Sequence, residues 1–342
     1  MEQENIATVD IGASKIRFMI VNEKKEMTEY LDASPISLIG RELKNSELVE
    51  ILKEKIQYSI NAAEKENKDN IVSAISVGSP GPLDPFKGVI EDTPNLKGIK
   101  NLAIVKELRR FFNLPVFLLN DADAAGLGEW WLRADRGYRS LFYITLSTGV
   151  GSANIVRGQL QRGRGKAPES GHADLFIEND QRLCGCGRWS HAEAYLGTRG
   201  LVETYSRVFG VKMADLNPAD RYFISPKMRE GVTNKEPKWL AVQEMYAGHL
   251  ALFLRNIVLN FQPEVIVLGG GIIFDNETLL SKTRGKLKKI MNPEKDKMAV
   301  MAEEVEIRLA ESGYNVNLGA ARYAFDRINL ARKGEKEYGY FA

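Results

Sequence analysis

The feature that most constrains how this chain can fold is a design that occurs twice. Ile6 to Val9 read as a short buried strand, followed by the small-residue turn Asp10-Ile-Gly12-Ala-Ser14-Lys15 and a second strand, Ile16 to Val21. Leu141 to Leu146 run in the same way through Ser147-Thr148-Gly149-Val-Gly151-Ser into a strand from Ala153 to Val156. Small residues at such a bend bring backbone N–H groups close to an anion. Two of these units in one chain point to two related α/β halves, each offering N–H groups to one polyphosphate. Asp10, at a strand end, can hold Mg²⁺ through a water, and Lys15 can meet a phosphate. Taken alone, the first turn reads as a common hairpin.

The segments between and after the hairpins fill in an α/β chain. Leu48, Leu52, Ile56 and Ile60 recur at helical spacing, with Ser46 as a candidate N-cap. A strand over Ile71 to Val77 runs into Gly78-Ser79-Pro-Gly81-Pro, and such punctuation at a strand's C-terminal end is where open α/β sheets bind ligands. Thr93-Pro-Asn95-Leu is a second turn-rich loop, in which Asn95 is either a hydroxyl partner or a plain surface residue. Val116 to Leu119 form the next strand, ending in Asn120-Asp121-Ala-Asp123, where a helix begins. An aspartate there faces the ligand crevice and can accept a proton from a bound hydroxyl. Both Asp121 and Asp123 fit that role, and helix capping accounts for one of them. Farther on, 191–209 reads as helical, 212–237 as an irregular excursion and 239–261 as a long helix with His249 as a packing residue. A strand from Pro263 to Leu268 ends in Gly269-Gly270-Gly271, which lets the backbone lie flat under an adenine or ribose. The final helix opens at Leu318, and the charged tail from Arg332 is expected to be poorly ordered.

One stretch remains, Glu169 to Glu193. It holds both cysteines of the chain, Cys184 and Cys186, and two of its three histidines, His172 and His191. Thiolate and imidazole are the ligand set of tetrahedral zinc. Cys-x-Cys is too short to close a comfortable disulfide, and glycines on either side of Cys186 let both sulfurs turn to one ion. Four protein ligands make a closed shell, which is structural. Two buried thiols beside two surface histidines is the bland alternative. The carboxylates Glu169 and Glu193 lie beside the ligands, so the ion would hold them rigid as acceptors for hydroxyl groups of a sugar.

With 342 residues the chain is long enough for two domains. A net charge of +2 gives no reason to expect a nucleic-acid or membrane-surface partner. No apolar run approaches a membrane span, and the N-terminus lacks the regions of a signal peptide. Two cysteines fit a reducing compartment, so the cytoplasm is expected.

Together these motifs resemble the ROK family of sugar kinases and sugar-responsive repressors, across most of the length from residue 6 to about 325. Asp10-Ile-Gly-Ala-Ser-Lys15 is similar to the first phosphate motif, with Ala13 where the family usually has glycine. Ser147-Thr-Gly-Val-Gly151 is similar to the second, with Ser147 replacing a glycine. Gly78 to Gly81 and Pro94-Asn95-Leu96 resemble the sugar loop, Asn120-Asp121-Ala122 the catalytic segment, and Gly269 to Gly271 fall at the adenosine motif. Glu169-x-Gly-His172 and Cys184-x-Cys186-Gly resemble the family's sugar and zinc signature, except that His191 stands where a third cysteine is usual.

The resemblance implies a two-domain α/β chain of the actin/hexokinase-like (ribonuclease H-like) ATPase fold. The expected domains are 1–119 and 120–317, with the helix from about 318 packing back on the first. It implies an ATP-dependent kinase that phosphorylates the 6-hydroxyl of a hexose, glucose first and an N-acetylhexosamine, mannose or fructose behind it. Asp121 is the implied base. Ser79, Gly81, Asn95, Asn120, Glu169, His172 and Glu193 are implied to bind the sugar, with Glu193 at its anomeric end. Asp10, Gly12, Ser14, Lys15, Thr148, Gly149, Gly151 and the three glycines at 269–271 would hold ATP and Mg²⁺. His172, Cys184, Cys186 and His191 would hold a structural zinc. A homodimer or homotetramer is the expected assembly. The repressor branch carries a DNA-binding segment before its first phosphate motif, and five residues leave no room for one here. A sugar-binding regulator without catalysis is the remaining rival, against which the retained Asp10 and Asp121 speak.

Overall fold

The structure, a computed structural model, describes residues 3–12, 15–29, 36–38, 42–93, 96–166, 168–217, 223–292, 294 and 304–334. Of the candidate site residues, Ser14 and Asn95 lie outside the described residues. In chain order the first elements are β1 (Gln3–Ile11), β2 (Lys15–Asn22), β3 (Met27–Thr28), β4 (Ile36–Ser37), α1 (Asn45–Glu66), β5 (Asn70–Ser79), β6 (Leu83–Asp84) and β7 (Val89–Ile90). They are followed by α2 (Ile104–Phe112), β8 (Val116–Asn120), α3 (Asp121–Leu132), β9 (Ser140–Leu146), β10 (Val150–Val156) and β11 (Gln159–Leu160). The remainder comprises α4 (Glu193–Leu196), α5 (Thr198–Phe209), α6 (Ile224–Thr233), α7 (Pro237–Phe261), β12 (Val265–Gly269), α8 (Glu277–Ile290), β13 (Glu306–Leu309) and α9 (Asn315–Arg332).

Two compact units result. The first comprises Met1–Gly137, Ala153–Pro168 and Ser312–Ala342. Its sheet has the order β3-β2-β1-β5-β8, with β4 also on β2. β1 pairs antiparallel with β2 and parallel with β5, which in turn pairs parallel with β8. On one face α1 buries Leu48, Leu52, Ile56 and Ile60 against Val9, Phe18 and Val77. On the other, Leu318, Ala321 and Phe325 of α9 pack with Trp131 of α3 and Ile6 of β1. The first division of the chain falls after Gly137, well beyond the strand end at 119, because α3 packs along α9 and belongs with it.

The second unit comprises Tyr138–Ser152 and Glu169–Glu311. The second sheet has the order β11-β10-β9-β12-β13; its strands β9, β12 and β13 lie in this unit, with β12 parallel to both β9 and β13. Helices α5, α6, α7 and α8 supply the apolar layer, with Val202, Met228, Tyr246, Leu250 and Leu280 packed against Phe142, Ile144 and Ile266. Among the described residues no helix is long and apolar enough to cross a membrane.

Four local readings change. The N-cap of α1 is Lys44, without a side-chain bond, so Ser46 lies inside the first turn. The stretch 191–209 is two helices, because Gly197 is extended and Thr198 N–H donates to Ser147 O at 2.8 Å. The excursion at 212–237 contains α6, whose Ile224, Met228 and Val232 recur at i, i+4, i+8 and are buried. Pro226 falls in its first turn, where the ring costs no hydrogen bond. The last helix starts at Asn315, a turn before Leu318.

Candidate functional site

In the first unit, strand register brings the candidate residues to one edge. Asp10 of β1 stands opposite Gly78 of β5, and Gly78 opposite Leu119 of β8. One step on, Ser79 pairs with Asn120. The C-terminal ends of three neighbouring parallel strands therefore carry Asp10, Ser79 and Asn120-Asp121, the place where open α/β sheets bind ligands. Asn120 is the N-cap of α3, its side-chain oxygen accepting from Ala122 N–H at 2.9 Å and Asp123 N–H at 3.4 Å. The cap position is therefore filled by Asn120. Asp121 is the first residue of the helix, half-buried, with Oδ1 accepting from Ala122 N–H at 2.8 Å. Asp123 is buried, which leaves Asp121 as the carboxylate at the surface of this edge. Gly81 lies against the Asn120 amide.

The turn after Asp10 closes by Gly12 N–H donating to Lys15 O at 2.9 Å. Asp10 is paired with Arg17, a residue the sequence reading passed over, whose guanidinium donates to Oδ2 at 3.1 Å. The signal was present, since a hairpin with this turn sets Arg17 directly across from Asp10. Burial pushes the Asp10 carboxyl above its usual range, with Arg17 and Lys15 pulling the other way. Lys15 is held below the usual lysine range by burial and by the Arg17 charge. A buried carboxylate whose charge is only partly matched fits a bound cation, so Asp10 suits the Mg²⁺ role.

In the second unit the turn 147–149 joins β9 to β10 and abuts the glycine turn after β12, because Ile272 N–H donates to Leu146 O at 3.1 Å. Thr148, Gly149, Gly151 and Gly269 to Gly271 thus converge. Beside them, the four cysteine and histidine side chains meet, with their ligand atoms all within 4.8 Å of one another. The two Nδ1 atoms of His172 and His191 are 3.3 Å apart, Cys184 Sγ is 3.8 Å from His172 Nδ1, and Cys186 Sγ is 3.2 Å from His191 Nδ1. A tetrahedral zinc with bonds of ~2.1 Å to nitrogen and ~2.3 Å to sulfur sets neighbouring donors roughly 3.3–3.8 Å apart. The donor set therefore fits that ion in type and spacing.

Two more features point the same way. Burial, with Cys186 and the Glu193 carboxylate beside it, pushes the Cys184 thiol up to about 11, so the thiolate needs a cation to persist. Asp174 Oδ1 lies 3.8 Å from His191 Nε2, on the ring edge away from the cluster, where a carboxylate orients a metal-bound histidine. Both cysteines are free of disulfides. Glu169 is exposed one turn before His172, and Glu193 opens α4.

The sequence profile of the ROK family matches residues 6–324. The chain belongs to the ROK family. Among its relatives is a glucokinase of Pyrobaculum calidifontis, 32% identical over 78% of this chain and 82% of its own. A glucokinase of Thermotoga maritima is 25% identical over 84% of this chain and 88% of its own. The crystal structure of the ROK hexokinase from Thermus thermophilus superposes with a TM-score of 0.74 at 28% identity, covering 95% of this chain and 99% of that one. The fold of this ROK chain is accordingly the α/β actin/hexokinase-like one.

Proposed function

We propose that this ROK chain is an ATP-dependent sugar kinase that transfers the γ-phosphate to the 6-hydroxyl of a hexose, with glucose as the hexose. The observation that carries the reading is the strand edge of the first unit, where Asp121 is fixed at the start of α3 and Asp10 stands two strands away. Its likeness to glucokinases supports the choice of substrate.

Asp121 accepts the proton of the sugar hydroxyl as the oxygen attacks phosphorus. Asn120, one residue before it, is the N-cap of α3 and fixes the helix start that carries Asp121. Ser79, Gly81, Asn95, Asn120, Glu169, His172 and Glu193 bind the sugar, and Glu193 meets its anomeric end. Amide groups of the turns at Gly12 and at Thr148 to Gly151, with Lys15, face the phosphates, and the glycines at 269–271 lie under the adenosine. Mg²⁺, held by Asp10, supplies charge neutralisation on the phosphates when bound. Zinc, held by His172, Cys184, Cys186 and His191, supplies a rigid support for Glu169, His172 and Glu193. Two reduced cysteines agree with a cytoplasmic enzyme, and a homodimer or homotetramer is its assembly.

A coupled ADP-release assay over glucose, mannose, fructose, N-acetylglucosamine and N-acetylmannosamine tests this. Glucose is expected to give the highest kcat/KM, and sugar binding without ADP release from any of them would make the chain a regulator. Asp121→Asn should leave sugar binding nearly intact and cut kcat by roughly 10²–10⁴. If that variant keeps most of its activity, the base lies elsewhere.

A further inference from the structure

The turn 147–151 is gripped by the same two segments that carry the metal ligands. Glu193 Oε2 accepts from Val150 N–H at 3.0 Å, while its Oε1 lies 3.5 Å from Cys184 Sγ. One carboxylate thus bridges the turn and a ligand of the Cys/His centre. Just beyond it, Thr198 donates to Ser147 O twice, from N–H at 2.8 Å and from Oγ1 at 2.9 Å. On the opposite side, the Ser170-Gly171-His172 turn presses on the same residues. Ser170 N–H donates to Ser152 Oγ at 3.3 Å. Gly171 packs so close that a Cβ there would sit 2.1 Å from Val150 O. Val150 is therefore bonded at its N–H by the His191–Thr198 segment, and its carbonyl packs closely against Gly171 of the Ser170–His172 segment. The two jaws meet at the centre itself, where His172 and His191 approach to 3.3 Å.

We infer that the Cys/His centre sets the geometry of the phosphate-donor turn as well as the sugar side, and that Glu193 is a positioning residue for ATP. The inference rests on the kinase reading only in taking 147–151 as the turn that meets the phosphates. An ion shared by one histidine from each jaw closes the clamp. Removing the ion loosens the clamp, and removing the Glu193 carboxylate disconnects one jaw from the turn. In either case the Thr148 to Gly151 amides lose their preorganised direction, and the nucleotide must order them on binding.

The test measures binding of the non-hydrolysable analogue AMPPNP with Mg²⁺ by calorimetry, without sugar, together with zinc content by mass spectrometry. Glu193→Ala is expected to keep its zinc and to bind the analogue about 10-fold more weakly, the usual worth of a hydrogen bond to a charged group. Glu193→Gln keeps an acceptor for Val150 N–H and turns its NH₂ toward the Cys184 sulfur, so its affinity should stay within about threefold of wild type. His191→Ala should lose zinc and bind the analogue as weakly as Glu193→Ala. Equal affinity in wild type and Glu193→Ala overturns the inference, and so does an equal loss in Glu193→Gln and Glu193→Ala. Glu193-dependent nucleotide binding in a chain that turns over no sugar would sustain the clamp and remove the kinase reading. Turnover with nucleotide affinity indifferent to Glu193 would remove the clamp alone.

Discussion

The turn after Asp10 and the turn after Leu146 look interchangeable in the sequence, each a strand, a few small residues and a strand. In the molecule they are held by different forces. The first is organised by charge, with Asp10 buried, Arg17 donating to it at 3.1 Å, and Lys15 near enough to shift it. Its backbone closes by Gly12 N–H donating to Lys15 O, inside the turn itself. The second contains no ionisable residue and is organised from outside, through Glu193, Thr198, Ser170 and Gly171. A buried charge responds to pH and to a cation, whereas a clamp responds to whatever holds its jaws. The two turns proposed to meet phosphate should therefore fail under different perturbations.

Asp10→Asn is the strongest perturbation of the charged turn. It removes the carboxylate proposed to hold Mg²⁺, so kcat/KM for Mg·ATP should fall on the order of 10²-fold, with sugar affinity in calorimetry largely unchanged. Stability should move the other way. The folded protein holds this carboxyl above its unfolded range, so ionised Asp10 opposes folding at neutral pH, and that penalty grows as pH rises through the shifted range. A neutral isostere removes it, and the melting temperature at pH 7 should stay level or rise. A matched loss of sugar binding, or a marked fall in melting temperature, would break the assignment of this turn to charge.

Acid should separate the two units in the opposite sense. The loop of the Cys/His cluster is anchored by a buried cluster in which Arg182 binds Asp180 at 2.9 Å and reaches Gly200 O and Thr204 Oγ1 of α5. Arg207 joins Asp180 at 2.8 Å, and His249 Nε2 lies 3.8 Å from the same carboxylate, its ring edge-on to Tyr195. Burial, with Arg182 and Arg207 near, pushes His249 down to about 4, against some pull from Asp180. Asp180 is lowered too, because Arg182 and Arg207 outweigh its burial. For both groups the unfolded chain binds more protons, so stability present near neutrality is lost as pH falls, for His249 between about 6.5 and 4. At most about 3 kcal/mol is at stake in that histidine. In the first unit, Asp10 and Asp326 are raised by burial and gain stability in the same direction. Hydrogen exchange from pH 7 to 4.5 should show α5 and α7 losing protection before α1. His249→Gln should flatten that loss, and an unchanged acid profile in this variant would rule His249 out as its source.

How much of this was legible beforehand depends on how far apart the partners lie. Periodicity exposed β1, β2, α1 and α7 because their signals are local and repeat every two residues or every 3.6. The Cys/His cluster was legible for a related reason, since four ligands fall within 20 residues. Arg17 opposite Asp10 was within reach, needing only the hairpin register. By contrast, Asp180, Arg182, Arg207 and His249 are scattered over 70 residues, and nothing in their spacing announces a cluster, so His249 passed as a packing residue. Glu193 was picked out for its nearness to the ligands, but its bond to Val150 spans 43 positions and depends on tertiary packing alone. The helix α6 was missed because Pro226 and its charged neighbours disguise a regular apolar row.

The smallest perturbation gives the sharpest comparison, a single methyl added to each turn. At Gly149 a Cβ would sit 2.4 Å from Glu193 Oε2, the far end of a side chain that can swing away. Swinging away costs the bond to Val150 N–H, so Gly149→Ala should reproduce the Glu193→Ala phenotype, about 10-fold weaker AMPPNP binding with zinc retained and the fold intact. At Gly12 the nearest atom to a Cβ is Lys15 O at 3.2 Å, a tight contact that displaces no acceptor from another segment. Gly12→Ala should therefore stay within about threefold of wild type, a fraction of the worth of one hydrogen bond. Because Gly149→Ala and Glu193→Ala break the same bond, the double variant should bind the analogue no more weakly than either single one. Independent, multiplying losses in that cycle would mean that the methyl acts on the turn directly, and that Glu193 is not what holds it.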